Sequence, residues 1–201
     1  MWQSNHNLAS LIGSRICHDL ISPIGAICNG IELLTLEGKT RSPELALISE
    51  SVDNANARVR FLRVAFGMAS PGQTMGRSEI ASILSDIGVG ARVGFDWTPA
   101  REVARSRVQE VFLALQVFES AMPKGGTVTV TQVEDEDRWE ISGPADPNRP
   151  DPALWQALSD PTLQAQIQPS QVQFALLPAL LTDRGRRLTV EVRRGSVVMR
   201  F

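Results

Sequence analysis

The sequence predicts an α+β chain in which an N-terminal helical hairpin, forming half of a dimeric four-helix bundle, is followed by an α/β sandwich. Three observations carry this prediction. Two long helical periodicities come first, joined by the short segment Glu37, Gly38, Lys39, Thr40, Arg41. From about residue 76 the elements shorten, and alternation such as Thr127, Val128, Thr129, Val130, Thr131 replaces helical spacing. The apolar stripes of the first two helices are also wider than one hairpin can cover.

The first helix is expected over about residues 8–36. Leu20, Ile24, Ile27, Ile31 and Leu34 fall on one side of it at ~100° per residue. Above them Ile12 and Ile16 reach Leu20 by steps of four, so the packing frame shifts beside His18. Pro23 removes a backbone donor inside this helix, at a cost of ~3 kcal/mol or more, and predicts a kink one turn below His18. That kink reads either as a tolerated irregularity or as a bend that lets His18 move.

The second helix is expected over about 43–69. Leu45, Ile48, Val52, Ala55, Val59, Leu62, Phe66 and Ala69 alternate steps of three and four, a heptad seam. Ser42 supplies an N-cap, Pro43 a first-turn proline, and Glu44 a charge that complements the dipole, while Gly67 and Ser70, Pro71, Gly72 end the run. The hairpin completes its core most simply against a second copy of itself, which predicts a homodimer. The alternative is packing against the rest of its own chain.

A linker over 70–76 separates the hairpin, residues 1–72, from the sandwich, residues 76–201. The sandwich opens with a helix through Ile80, Ile83, Leu84 and Ile87, a strand over 92–97 and a helix over about 103–121. A glycine turn leads into a hairpin of strands over 127–131 and 138–142. After a proline-rich loop over 144–152 come a short helix over about 152–158, a longer one over about 170–181, and two closing strands over 188–192 and 197–201. A helical layer on a mostly antiparallel sheet is the economical arrangement, with Trp97, Trp139 and Trp155 in its core.

Composition excludes several classes of function. With 20 Lys and Arg against 22 Asp and Glu, the formal charge of −2 gives no reason to expect nucleic acid or an anionic membrane. No apolar run approaches the ~20 residues of a membrane span, and Met1 to Asn7 lacks a basic region leading into an apolar core, so a cytoplasmic location is expected. Cys17 and Cys28 lie about 16 Å apart along one helix, at ~1.5 Å per residue, and cannot bridge within a chain. They read as reduced packing residues, with no companions for a metal.

The candidate site is His18. It points roughly opposite the apolar stripe, with small residues Ser14, Ser22 and Gly25 beside it and Ala26 and Asn29 below. The bland reading is an ordinary surface histidine; the other is an exposed nucleophile with room for a docking partner. Asp19 is either a helix-surface acid or a carboxylate that orients the ring and favours the nucleophilic tautomer. Arg60 and Arg63 lie about as far after the turn as His18 lies before it, and read as surface ion-pair partners or as phosphoryl contacts.

His18, Asp19 and Pro23, on a hairpin followed by an α/β sandwich, resemble the phosphoacceptor box and ATP-binding half of sensor histidine kinases. The nucleotide-binding features of that family are missing. Where such kinases carry an Asn, this chain reads Leu115, Gln116, Val117, Phe118, Glu119; where they carry Asp-x-Gly-x-Gly, it reads Ile141, Ser142, Gly143, Pro144, Ala145; in place of the later glycine-rich loop stand Gln166, Ile167, Gln168, Pro169. A nucleotide site needs a carboxylate for adenine, a ligand for Mg²⁺ and glycine amides for phosphate, so no ATP and no other cofactor is expected.

A closer resemblance is to the ChpT-type histidine phosphotransferases of alphaproteobacteria, through Ser22, Pro23, Gly25, Asn29, Gly30 and Glu32 on the first helix and Ala57, Arg58, Arg60, Phe61, Arg63, Ala65, Phe66 and Gly67 on the second. The resemblance implies a relay. His18 would accept a phosphoryl group from the receiver domain of a hybrid kinase of the CckA type and pass it to response regulators such as CtrA and CpdR, with Mg²⁺ on the receiver partner only. A kinase with a divergent nucleotide site and a scaffold that binds receivers without transfer are the competing readings.

Overall fold

The computed structural model describes residues 2–37, 43–99, 101–133, 138–146, 151–160, 166–193 and 195–201. Within the first helix, the side chains of residues 2–11, 14, 17, 18, 21 and 35–37 lie outside the description. The expected connection through 38–41 and the N-cap at Ser42 fall outside it too.

Helix α1 (Trp2–Glu37) is continuous through Pro23 and starts earlier than its stripe suggested. It packs along α2 (Pro43–Ala65), with Gly30 buried against Ile48 and Glu44, so the two run antiparallel. A Cβ at Gly30 would overlap the Ile48 side chain, and glycine therefore sets how closely the helices approach.

The seam splits into two halves. Ile48, Ala55 and Leu62 turn inward, whereas Leu45, Val52 and Val59 stay 39%, 39% and 48% exposed. On α1, Ile24 and Ile31 are 51% and 53% exposed.

Helix α2 stops short of the expected residue 69 for a tertiary reason. Its last carbonyls are taken by side chains of α4 (Arg105–Ala121): Arg105 Nη2 donates to the Arg63 oxygen at 2.7 Å, and Gln109 Nε2 donates to the oxygens of Ala65 at 3.3 Å and Gly67 at 3.0 Å. Both donors are buried. Capped this way, the chain turns away, since orphan carbonyls at a helix end need partners. The expected linker is then partly strand, because β1 (Thr74–Met75) pairs antiparallel with β3 (Val103–Ala104). That pairing also moves the start of α4 from the expected residue 103 to Arg105.

The remaining elements are α3 (Arg77–Gly88), β2 (Val93–Trp97), β4 (Gly126–Val133), β5 (Arg138–Pro144), α5 (Pro152–Ser159), a 3₁₀ turn (Pro169–Gln171), α6 (Gln173–Asp183), β6 (Thr189–Arg193) and β7 (Ser196–Arg200). The five-stranded sheet has the order β2-β4-β5-β7-β6, antiparallel except for β2 with β4. That parallel pair is joined through α4, as a crossover requires.

One core runs through both halves of the chain. Phe61 of α2 and Phe112 of α4 are fully buried and stacked, with ring centroids 4.8 Å apart. Trp97 lies 5.3 Å from Trp139, and Trp155 meets Phe174 edge-on at 6.2 Å, so the three tryptophans serve the core as expected. Cys28 does not: it is exposed, and Cys17 lies outside the described side chains.

Candidate phosphoacceptor site

Position 18 lies in the middle of α1, one turn after Arg15 and directly before Asp19. The side chains of His18 and Ser14 lie outside the described residues. Arg15 Nε donates to Asp19 Oδ2 at 3.0 Å, and its Nη1 donates to the backbone oxygen of Ser170 at 2.7 Å. The Arg15 and Asp19 side chains are only 12% and 9% exposed.

Ser170 belongs to the 3₁₀ turn, which occupies the stretch directly after Gln166 to Gln168. A reciprocal capping box between Gln168 and Gln171 shapes this turn. Gln173, fully buried, then pins it to α4: its Nε2 donates to the oxygen of Ser170 at 3.2 Å, to Ser120 Oγ at 3.0 Å and to the Gln116 oxygen at 3.4 Å.

A second link joins the hairpin to α4. Arg58 of α2 stands 3.6 Å from Glu119, whose side chain is 19% exposed. Burial pushes the Glu119 carboxyl above its ordinary range, Arg58 and then Arg15 draw it down, and the Asp19 carboxylate pushes it up again. Arg15, Asp19, Arg58 and Glu119 therefore form one charged cluster beside position 18.

Of the two arginines proposed from the sequence, Arg60 is engaged by α3. It pairs with Asp86 and donates to Ser82 Oγ at 3.3 Å. Arg63 is exposed and lies four residues after Val59, on the outward half of the seam. Of the docking face, Ser22, Gly25 and Asn29 are exposed and Ala26 is half-buried. A Cβ added at Gly25 would meet nothing within 4 Å. This strip of α1 is low and open.

The three segments that depart from the kinase pattern are built into other structure. Leu115, Val117 and Phe118 fill the core from α4. Ile141 to Pro144 run as strand, paired with Met199, Val198, Val197 and Ser196 of β7, which uses their backbone in a ladder. Among the described residues there is no cluster of three or more His, Cys, Asp or Glu able to hold a metal ion, and no helix long and apolar enough to cross a membrane.

The family model for the histidine phosphotransferase C-terminal domain matches residues 77–195. The chain belongs to that family. Its similarity to the protein phosphotransferase ChpT of Brucella abortus (strain 2308) is 38% identity over 126 residues, 62% of this chain and 60% of that protein. The match thus spans less than two thirds of the relative. The solved structure of a bacterial phosphotransferase aligns with a TM-score of 0.78 and 29% identity, covering 96% of this chain and 95% of the other. That alignment takes in nearly all of the hairpin as well, which the family model does not reach.

Sequence reasoning named His18 and Asp19 as candidates and did not single out Arg15, Glu119 and Ser170, whose contacts the structure adds around them. The i, i+4 spacing of Arg15 and Asp19 was a usable signal for the first. For the others the chain offers no local sign.

Proposed function

We propose that this chain is a histidine phosphotransferase of a cytoplasmic phosphorelay. It takes a phosphoryl group from the receiver aspartate of a hybrid histidine kinase onto His18 and passes it to response regulators, those of the CtrA and CpdR type being the acceptors its likeness to ChpT implies. The observation that carries the reading is the His18–Asp19 pair on a helix whose neighbouring strip, Ser22, Gly25 and Asn29, is exposed and low, in a chain of this family.

The chemistry asks little of the chain. A neutral imidazole nitrogen attacks phosphorus in line; the N–P bond forms as the P–O bond of the acyl phosphate breaks, and the receiver carboxylate leaves with the electron pair. The other ring nitrogen keeps its proton, so the ring becomes cationic. Asp19 stands next along the helix to orient the ring and balance that charge. On the receiver's side, a bound Mg²⁺ and a lysine would supply the charge that neutralises the transferring oxygens. The reverse sequence with a second receiver delivers the group.

The test sets donors against each other. The chain is expected to acquire acid-labile label from a phosphorylated receiver domain, and to show neither label nor heat stabilisation with ATP and Mg²⁺, since a ligand of the folded state raises its apparent stability. Autophosphorylation from ATP would establish a kinase instead. Receiver binding without label would leave a scaffold.

The same reading includes a homodimer. Its support is the outward half of the seam, Leu45, Val52 and Val59 at seven-residue spacing beside Ile24 and Ile31, all left exposed by one hairpin. Val52→Asp would place an unpaired charge in that interface while leaving the inward seam intact, and should give a folded single chain. Sedimentation measures it: a wild-type mass of one chain at micromolar concentration would defeat the dimer.

A further inference from the structure

The C-terminal half contacts the first helix directly, through the Ser170 carbonyl and Arg15, and that contact indicates a role for it. We propose that Arg15 is a positioning residue for phosphoryl transfer at His18, through which the 3₁₀ turn of the C-terminal half fixes the carboxylate of Asp19, the residue next to His18 in the chain. The proposal rests on the phosphotransferase reading.

Geometry makes the case. One guanidinium uses Nε for Asp19 and Nη1 for the Ser170 carbonyl, at 3.0 and 2.7 Å, and a planar fork fixes the angle between its two partners as a lysine would not. Its far partner is itself immobilised, because fully buried Gln173 holds the Ser170 carbonyl, Ser120 and the Gln116 carbonyl together. The chain of contacts runs from α4 and α6, through Ser170 and Arg15, to Asp19. Position 18 lies in sequence between the two α1 members of that chain, Arg15 and Asp19, which are little more than one helical turn apart.

Arg15 touches no reacting atom. In the acceptor step the N–P bond forms while the receiver's P–O bond breaks, and the ring keeps the proton on its other nitrogen and gains positive charge. A carboxylate held in one place favours the tautomer that leaves the attacking nitrogen unprotonated. A carboxylate released from Arg15 samples several rotamers and does so less often. Outer partners of a reactive imidazole are worth roughly 10- to 100-fold when removed.

Full-length Arg15→Ala, Asp19→Asn and the double variant are compared in single-turnover transfer from a phosphorylated receiver domain, alongside ¹⁵N spectra of the imidazole. The chain has two histidines, and His6→Gln assigns the His18 signals. Arg15→Ala is expected to lower the saturated rate constant about tenfold or more with the half-saturating receiver concentration unchanged. The double variant should be no slower than the slower single one, and the imidazole tautomer balance should shift. Gln173→Met, which loosens Ser170 from the far side, should shift the same ¹⁵N signals, and it carries the test if Arg15→Ala does not fold. Unchanged imidazole spectra, or rate losses that multiply in the double variant, would overturn the proposal. Should no receiver label the wild-type chain, the relay reading fails by itself, and the spectra still decide whether Arg15 sets the imidazole.

Discussion

Gly25→Arg is expected to abolish receiver docking and phosphoryl transfer, by about a hundredfold or more, without loss of fold. The in-line geometry requires reacting atoms within about 3–3.5 Å, and so two folded surfaces must close on each other around His18. Gly25 lies in the exposed strip below His18 along α1, where an added Cβ meets nothing within 4 Å. An arginine there projects from that open strip into the space a docking partner would take. Replacing glycine inside a helix also removes a cost of about 1 kcal/mol, so the variant should melt no lower than wild type. Ser22→Trp is expected to behave alike. Receiver binding by calorimetry, transfer assays and circular dichroism check the set together. Normal transfer by folded variants would place the docking face on another side of α1.

Glu110→Ala should cost the fold about 3–5 kcal/mol, the usual loss when one member of a buried ion pair is removed. Glu110 is fully buried on α4 and pairs with Arg107, while Arg184, at the end of α6, donates Nη1 to its other oxygen at 2.5 Å. Arg184 also reaches the Ser106 oxygen at 2.9 Å, so the carboxylate is a junction between α4 and α6. Arg107 is itself buried, with its guanidinium 5.7 Å over the Phe201 ring. Replacing both Glu110 and Arg107 by apolar residues of similar volume should recover much of the loss. Urea denaturation measures both variants, and a Glu110→Ala loss below about 1 kcal/mol would contradict the account.

Most of the fold was legible because its elements obey local periodicity. Alternation placed β4 and β5 within two residues of their ends, and the heptad steps placed the start and most of the length of α2. What escaped depends on residues far apart in the chain. The end of α2 is set by Arg105 and Gln109, more than forty residues on, and no propensity argument could foresee those caps. The β1–β3 pairing was hidden because each strand has two residues. At the site, the acid beside the histidine was visible as a dipeptide. The fork from Arg15 to Ser170 spans 155 residues and was not. Arg60 showed the converse error of spacing arguments: its height on the hairpin matched His18, but its side chain turns to Asp86 on α3.

The central claim is that His18 carries the phosphoryl group, and one measurement addresses it directly. The chain is incubated with a phosphorylated receiver domain in the absence of ATP, digested under alkaline conditions that preserve phosphoramidates, and mapped by mass spectrometry. The expected result is a single phosphorylated peptide bearing the group on His18, absent from His18→Ala although that variant still binds the receiver. Label on any other residue, or full labelling of His18→Ala, would contradict the account.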